Sequence, residues 1–375
     1  MSRISRVALK IVAHGLLAAF ILFAPSSSFA ETLIIYVKQA RNTLDIQADF
    51  AGETQNYTIA EQAAILQKLE KIYHLLGNQQ PADQQQEEGT LGRVSQFVGG
   101  QLKTIRGYIP KWKDEPEKET AEKPDPLSDE IKVLLSEAGH SLYHPIRSFI
   151  KMASAVEFVV TEDCLSYPLD ALFYQGTPLF LHKPILYSFA RQKDMPLLVS
   201  KDWKGFMISD PGNDPEKGVL LVKDLFPNSQ YFDGQDVRQE DLMQTEHVDF
   251  VLVSADGGVE GIALPKITIR SMSFSHMQPK LVYLDSCQLG LRLDFLHSFR
   301  QAGAMYYIAP ILRNEVGDAS KKTMERFFRT LRNGENPPYA LFLTRRTLYD
   351  LYTYQDHEFS KVMWRAYPFR LYRLN

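Results

Sequence analysis

The sequence predicts an α/β protein built on a mainly parallel sheet and preceded by a small α+β module. Three observations carry that reading. Two apolar runs, 248–254 and 280–285, each end abruptly: the first in Ala255-Asp256-Gly257-Gly258, the second in Ser286-Cys287-Gln288-Leu289-Gly290. Such runs read as strands buried on both faces that deliver side chains to the carboxyl edge of a sheet, where α/β folds place their chemistry. Further apolar runs alternate with amphipathic stretches from about residue 128 onward, as strand–helix alternation requires. A charged, proline-punctuated segment at 111–127 separates this part from what precedes it.

Residues 1–30 are a matter apart. Arg3, Arg6 and Lys10 precede an apolar run over 11–25, and Ser28-Phe29-Ala30 sets small residues at the two positions a signal peptidase inspects. The expectation is a secretory signal peptide cleaved after Ala30, and an exported chain, periplasmic or secreted. An uncleaved anchor is the alternative, although the run is shorter than the ~20 residues of a spanning helix and contains His14 and Gly15. No span is expected in the mature chain. Cleavage leaves 39 Lys and Arg against 45 Asp and Glu, a net charge of −6. That balance argues against nucleic acid as a partner.

Within 31–110, residues 33–37 and 43–50 read as strands, the second with period-two alternation. Thr58-Ile59-Ala60-Glu61 reads as a capping box that opens a helix, with Ile59, Ala63, Leu66, Leu69, Tyr73 and Leu76 on its apolar face and Gly77 as C-terminal cap. A Gln-rich connector (79–89) and a weaker amphipathic stretch (91–109) lead to the linker at 111–127. In 128–375, a helix over about 129–155 precedes a strand at 156–161. Strands follow at 179–181, 185–189, 205–209, 248–254, 280–285 and 304–309, with helices at 318–332 and 339–352.

The two cysteines of the mature chain are too few for a disulfide framework, and no Cys or His spacing suggests a zinc site. No metal or other cofactor is expected. Cys287, at a strand's carboxyl edge, reads as a site position; a buried inert thiol and a disulfide with Cys164 are the other readings. Asp256 either belongs to that site or caps a following helix or turn. The oxygen-rich run 210–216 lacks the spacing of a calcium loop and reads as a solvated turn. Lys321, Lys322, Arg326, Arg329 and Arg332 form a basic helix face, either solvated or matched to an acidic partner.

With these elements placed, residues 128–375 resemble a CHAT domain, the caspase-like module of the separase, metacaspase and gingipain superfamily. Residues 156–172, with Pro168-Leu169-Asp170-Ala171-Leu172, are similar to the family's opening strand and turn. Ile208-Ser209-Asp210-Pro211-Gly212 resembles its second strand and turn, 299–309 the helix and strand after the cysteine, and 363–369 the terminal strand. The resemblance implies a caspase-like α/β/α sandwich. It puts Cys287 at the nucleophile and Gly257 at the glycine whose backbone helps form the oxyanion hole. Asp285 falls on an acidic position that, in the metacaspase and clostripain branches, helps select a basic side chain. The position of the catalytic histidine holds Asp256.

Aspartate is a poor substitute. A carboxylate near about 4 facing a thiol near about 8.5 makes proton transfer uphill by about 6 kcal/mol, and its charge disfavours the thiolate. His247 lies at the other end of its strand, roughly 30 Å away by ordinary rise. The expectation is therefore a degenerate, histidine-less cysteine-peptidase homologue, a pseudoenzyme that binds a peptide or protein partner with Asp285 drawing a basic side chain. The alternative is an active cysteine endopeptidase with preference for Arg or Lys, using Cys287 and a non-standard base.

Overall fold

The computed structural model describes residues 31–40, 43–59, 62–77, 125–192, 197–356 and 358–375. The leader assignment, the segments at 79–109 and all but the last three linker residues lie outside them.

In chain order the strands are β1 (Thr32–Ala40), β2 (Thr43–Phe50), β3 (Glu53–Ile59), β4 (Ala155–Val160), β5 (Phe173–Tyr174), β6 (Thr177–Pro178), β7 (Ile185–Ser188) and β8 (Gly205–Ser209). They continue with β9 (Gln230–Asp233), β10 (Phe250–Ser254), β11 (Asp256–Gly258), β12 (Gly261–Ala263), β13 (Thr268–Ile269), β14 (Leu281–Asp285), β15 (Tyr306–Pro310) and β16 (Phe369–Arg373). The helices are α1 (Gln62–Gly77), α2 (Pro126–Tyr143), α3 (Arg147–Met152), α4 (Gly218–Leu225), α5 (Gln239–Gln244), α6 (Leu293–Gln301), α7 (Asp318–Arg332), α8 (Pro337–Asp356) and α9 (Phe359–Ala366).

Eleven strands form one sheet in the order β3-β2-β1-β4-β7-β16-β15-β14-β10-β8-β9. The β8, β10, β14 and β15 neighbours run parallel, as do β1, β4 and β7. β4, β8, β10, β14 and β15 are buried along their whole length. Their pleat sends alternate side chains to opposite faces. Leu252, Tyr283 and Ile308 join a core with Val219 of α4 and Phe327 of α7, while Val253, Leu284 and Ala309 join one with Leu135 of α2 and Phe299 of α6. Helices covering both faces explain why these strands read as unbroken apolar runs.

The sequence divides the chain at the linker, yet the described parts on either side share one sheet. β1 pairs in parallel with β4, from Thr32 opposite Ala155 to Val37 opposite Val160. Buried Leu69, Ile72 and Leu76 of α1 join the same core as α2, and Lys68 bridges to Glu137 at 2.7 Å.

Several expectations need correction. Thr58 caps no helix: it lies in β3, where its hydroxyl donates across the strands to Asp45 at 3.0 Å. The long helix over 129–155 is two helices, broken at His144-Pro145-Ile146, where Pro145 supplies no backbone donor. Residues 179–181 form a 3-10 turn rather than a strand. Residues 363–366 end α9, and the terminal strand is β16, which lies antiparallel to β15. In the 210–216 turn Asp214 is buried, accepting from Ser209 at 2.9 Å and from the Gly218 and Val219 amides that open α4. Among the described residues, no cluster of His, Cys, Asp and Glu could hold a metal, and no helix is long and apolar enough to cross a membrane.

Candidate functional site

Two adjacent parallel strands build the site. β10 and β14 run in register, Ser254 opposite Asp285, so the residues that follow them emerge side by side at the carboxyl edge. After β10 the chain enters a small antiparallel sheet of β11, β12 and β13, so no helix follows for Asp256 to cap. After β14 it turns through Ser286 and Cys287 to Gln288, whose φ of 58° is left-handed. The Tyr307 and Tyr372 hydroxyls donate from the sheet to the Leu289 and Gly290 carbonyls at 2.8 and 2.6 Å, pinning this turn. Arg292 holds the β11–β12 hairpin beside it, donating to the Gly258 and Val259 carbonyls at 2.7 Å.

Gly257 and Cys287 meet backbone to backbone. A Cβ at Gly257 would lie 2.6 Å from the Cys287 carbonyl oxygen and 2.9 Å from its nitrogen, so a side chain at this position has no room. Asp256, next in line, is exposed; its backbone pairs with Ala263 in the small sheet, and its side chain makes no hydrogen bond among the described residues. The structure thus brings together the four residues singled out from the sequence: Cys287, Asp256, Gly257 and Asp285.

Asp285 is buried, and its carboxylate is ringed by neutral donors. Ser254 donates at 2.8 Å, the Asn314 amide at 2.7 Å, and Ser320 completes the set. Burial pushes its pKa up to about 6, against the pull of these hydrogen bonds. Cys287 is half-buried, and its thiol donates to the Asn314 side-chain oxygen at 3.4 Å. Burial pushes the thiol above its ordinary range, the charges of Asp285 and Asp256 add to the rise, and Asn314 and Arg313 oppose it. A thiol held in this way is a weak nucleophile.

No described histidine hydrogen-bonds the Cys287 sulfur. His276 engages the Leu242 carbonyl, His297 faces Glu162, and His182 pairs with Thr177. A disulfide is also excluded. Both cysteines are free, and Cys164 follows β4 while Cys287 follows β14, four strand positions away in the sheet, about 19 Å at ordinary spacing.

Asn314 and Ser320 were not found from sequence. Asn314 sits in the loop after β15, at the same carboxyl edge, and Ser320 lies in the first turn of α7. A polar residue just beyond an edge-delivering strand is the only signal that marks Asn314. The basic face of α7 is largely compensated: Lys321 pairs with Glu216, Lys322 with Asp318 and Arg329 with Glu325, while Arg326 donates to Thr347. No protein-family profile and no curated protein sequence matches this chain.

Proposed function

We propose that the carboxyl edge carrying Cys287, Gly257 and Asp285 binds a peptide or protein segment without cleaving it, as a degenerate CHAT-like, caspase-type domain of an exported protein. The observation that carries this reading is the partner of the thiol. Cys287 donates to the carboxamide oxygen of Asn314, a group that cannot take up a proton, with two carboxylates near enough to disfavour the thiolate. Asp285 is a buried carboxylate with only neutral donors among its hydrogen-bond partners. A Lys or Arg side chain of a bound segment would supply the missing countercharge.

The endopeptidase reading keeps one observation in its favour. The Gly257 backbone lies against that of Cys287, as an oxyanion site beside a nucleophile requires. One experiment separates the two. Purified chain is incubated with a peptide library containing Arg and Lys, and cleavage is followed by mass spectrometry alongside Cys287→Ala. The proposal predicts no cleavage above the variant, together with retention of basic peptides that is lost in Asp285→Asn. Cleavage that disappears in Cys287→Ala overturns it.

A further inference from the structure

We propose that a groove between α2, α3 and the β5–β6 hairpin is a binding site for a small oxyanion ligand, with a phosphate or sulfate group as its recognised element. This inference is independent of the reading of Cys287. The groove encloses about 540 Å³. His140, in the last turn of α2, and His144, which caps that helix, stack with ring centroids 4.7 Å apart. Arg147 and Lys151 carry the same face into α3. Four cation-capable side chains therefore line one wall, and no carboxylate lines the groove at all.

The shape is built in by the sequence. A Cβ at Gly139 would lie 2.2 Å from the Phe173 carbonyl oxygen, so only glycine lets the hairpin close on α2. Tyr174 holds the junction by donating from its hydroxyl to the Arg147 carbonyl at 3.3 Å.

None of the titratable groups lining the groove around the imidazoles is a carboxylate. Tyr143 comes from α2, Arg147 and Lys151 from α3, and Tyr174 from the hairpin. Behind them the Lys183 ammonium bonds the Lys151 carbonyl at 3.4 Å, and the T-shaped contact of His182 with Tyr174 adds a further imidazole. The nearest carboxylate on α2, Glu137, pairs with Lys68 instead. Among the described residues neither Arg147 nor Lys151 forms an ion pair. A guanidinium fork, an ammonium and two imidazoles lining one groove offer the donors that the several oxygens of a tetrahedral oxyanion accept from. The chain's overall negative charge makes this uncompensated cationic face more telling.

A protonated imidazole adds positive charge to the groove, so binding should tighten as pH falls. The full chain is titrated calorimetrically with sulfate, whose charge is constant over the pH range tested, and with pyrophosphate, at fixed ionic strength. Saturable binding is expected, at least about tenfold tighter near pH 5.5 than near pH 8. His140→Gln with His144→Gln should abolish the pH dependence, and Arg147→Ala should weaken binding about tenfold at every pH. Arg326→Ala, on the unrelated basic face, should change nothing. The substituted groove residues are exposed, and an unchanged melting temperature confirms that the variants fold. Failure of both anions to saturate the wild type near pH 5.5, or unaltered affinity in Arg147→Ala, overturns the proposal.

Discussion

Asn314 donates its side-chain amide to the Asp285 carboxylate at 2.7 Å. Through its oxygen the same side chain accepts the Cys287 thiol at 3.4 Å. One carboxamide thus satisfies a buried charge and occupies the thiol, placing a neutral group where proton transfer would need a base. The chemistry of this edge follows from that relationship.

Asp285 should make the protein less stable as pH rises. Its folded pKa of about 6 lies above the ordinary 3.8, so between these values the folded state holds a proton that the unfolded chain has released. The contribution is full below about pH 4 and lost as pH climbs through 6, a change of about 3 kcal/mol. Asp285→Asn should flatten that slope because the amide does not titrate, and the fold should survive because the Ser254 and Ser320 hydroxyls can turn to accept from the new amide while Asn314 keeps its acceptor. Urea denaturation of both proteins across this range checks it; an unchanged slope in the variant contradicts the assignment.

The thiol of Cys287 should resist alkylation at neutral pH. Its labelling rate is expected to be still climbing near pH 9, whereas a plateau below about pH 7 would show an activated thiolate. Asp256→Asn removes one of the two carboxylates that hold the thiol up and should speed labelling at fixed pH. Because Asp256 is exposed, the same substitution should change stability by no more than about 0.5 kcal/mol. Intact-mass kinetics with Cys164→Ser as background reads the rate.

Gly257→Ala should damage the site from its backbone. The added methyl meets the Cys287 carbonyl and amide at distances no flexible side-chain end can relieve, so the hairpin or the turn must move. A loss of about 1–3 kcal/mol is expected, with an altered Cys287 labelling rate. A variant matching the wild type in both measurements would refute the close approach.

Asp170→Asn should be the most destabilising of these changes. Asp170 is fully buried in the turn after β4 and accepts from Tyr187, Tyr367 and Arg345, each at 2.8 Å. Burial alone would raise its pKa, but Arg345 and Arg370 hold the carboxyl below its ordinary value, so this contribution is lost as pH falls, opposite in sign to Asp285. Removing the charge strands Arg345 in the core at a cost of about 3–5 kcal/mol. Adding Arg345→Met should recover part of that loss in chemical denaturation, since the two residues act as one unit.

Legibility followed distance along the chain. β10 and β14 were readable because each is a short apolar run closed by polar residues, and α7 because its pattern spans 318–332 without interruption. β9 and β16 were missed. β9 is a partly exposed edge strand with no apolar run, and β16 carries Arg370 and Arg373, whose charges masked a strand that is buried along its length. Arg370 is accommodated there by donating to the Tyr167 carbonyl at 2.8 Å and lying over the Tyr187 ring.

By itself the sequence marked β10 and β14, where each of them ends, and that Asp256 and Gly257 follow one end while Asp285 and Cys287 close the other. These are consequences of local periodicity and of parallel strands ending together. Only the tertiary structure decided that β1 joins β4, that Asn314 and Ser320 close around Asp285, and that the Cys287 thiol is held up rather than activated. Each of these depends on contacts between segments distant in the chain, and on the burial those contacts create. Desolvation and hydrogen-bond partnership are properties of the packed interior, and no local pattern of residues encodes them.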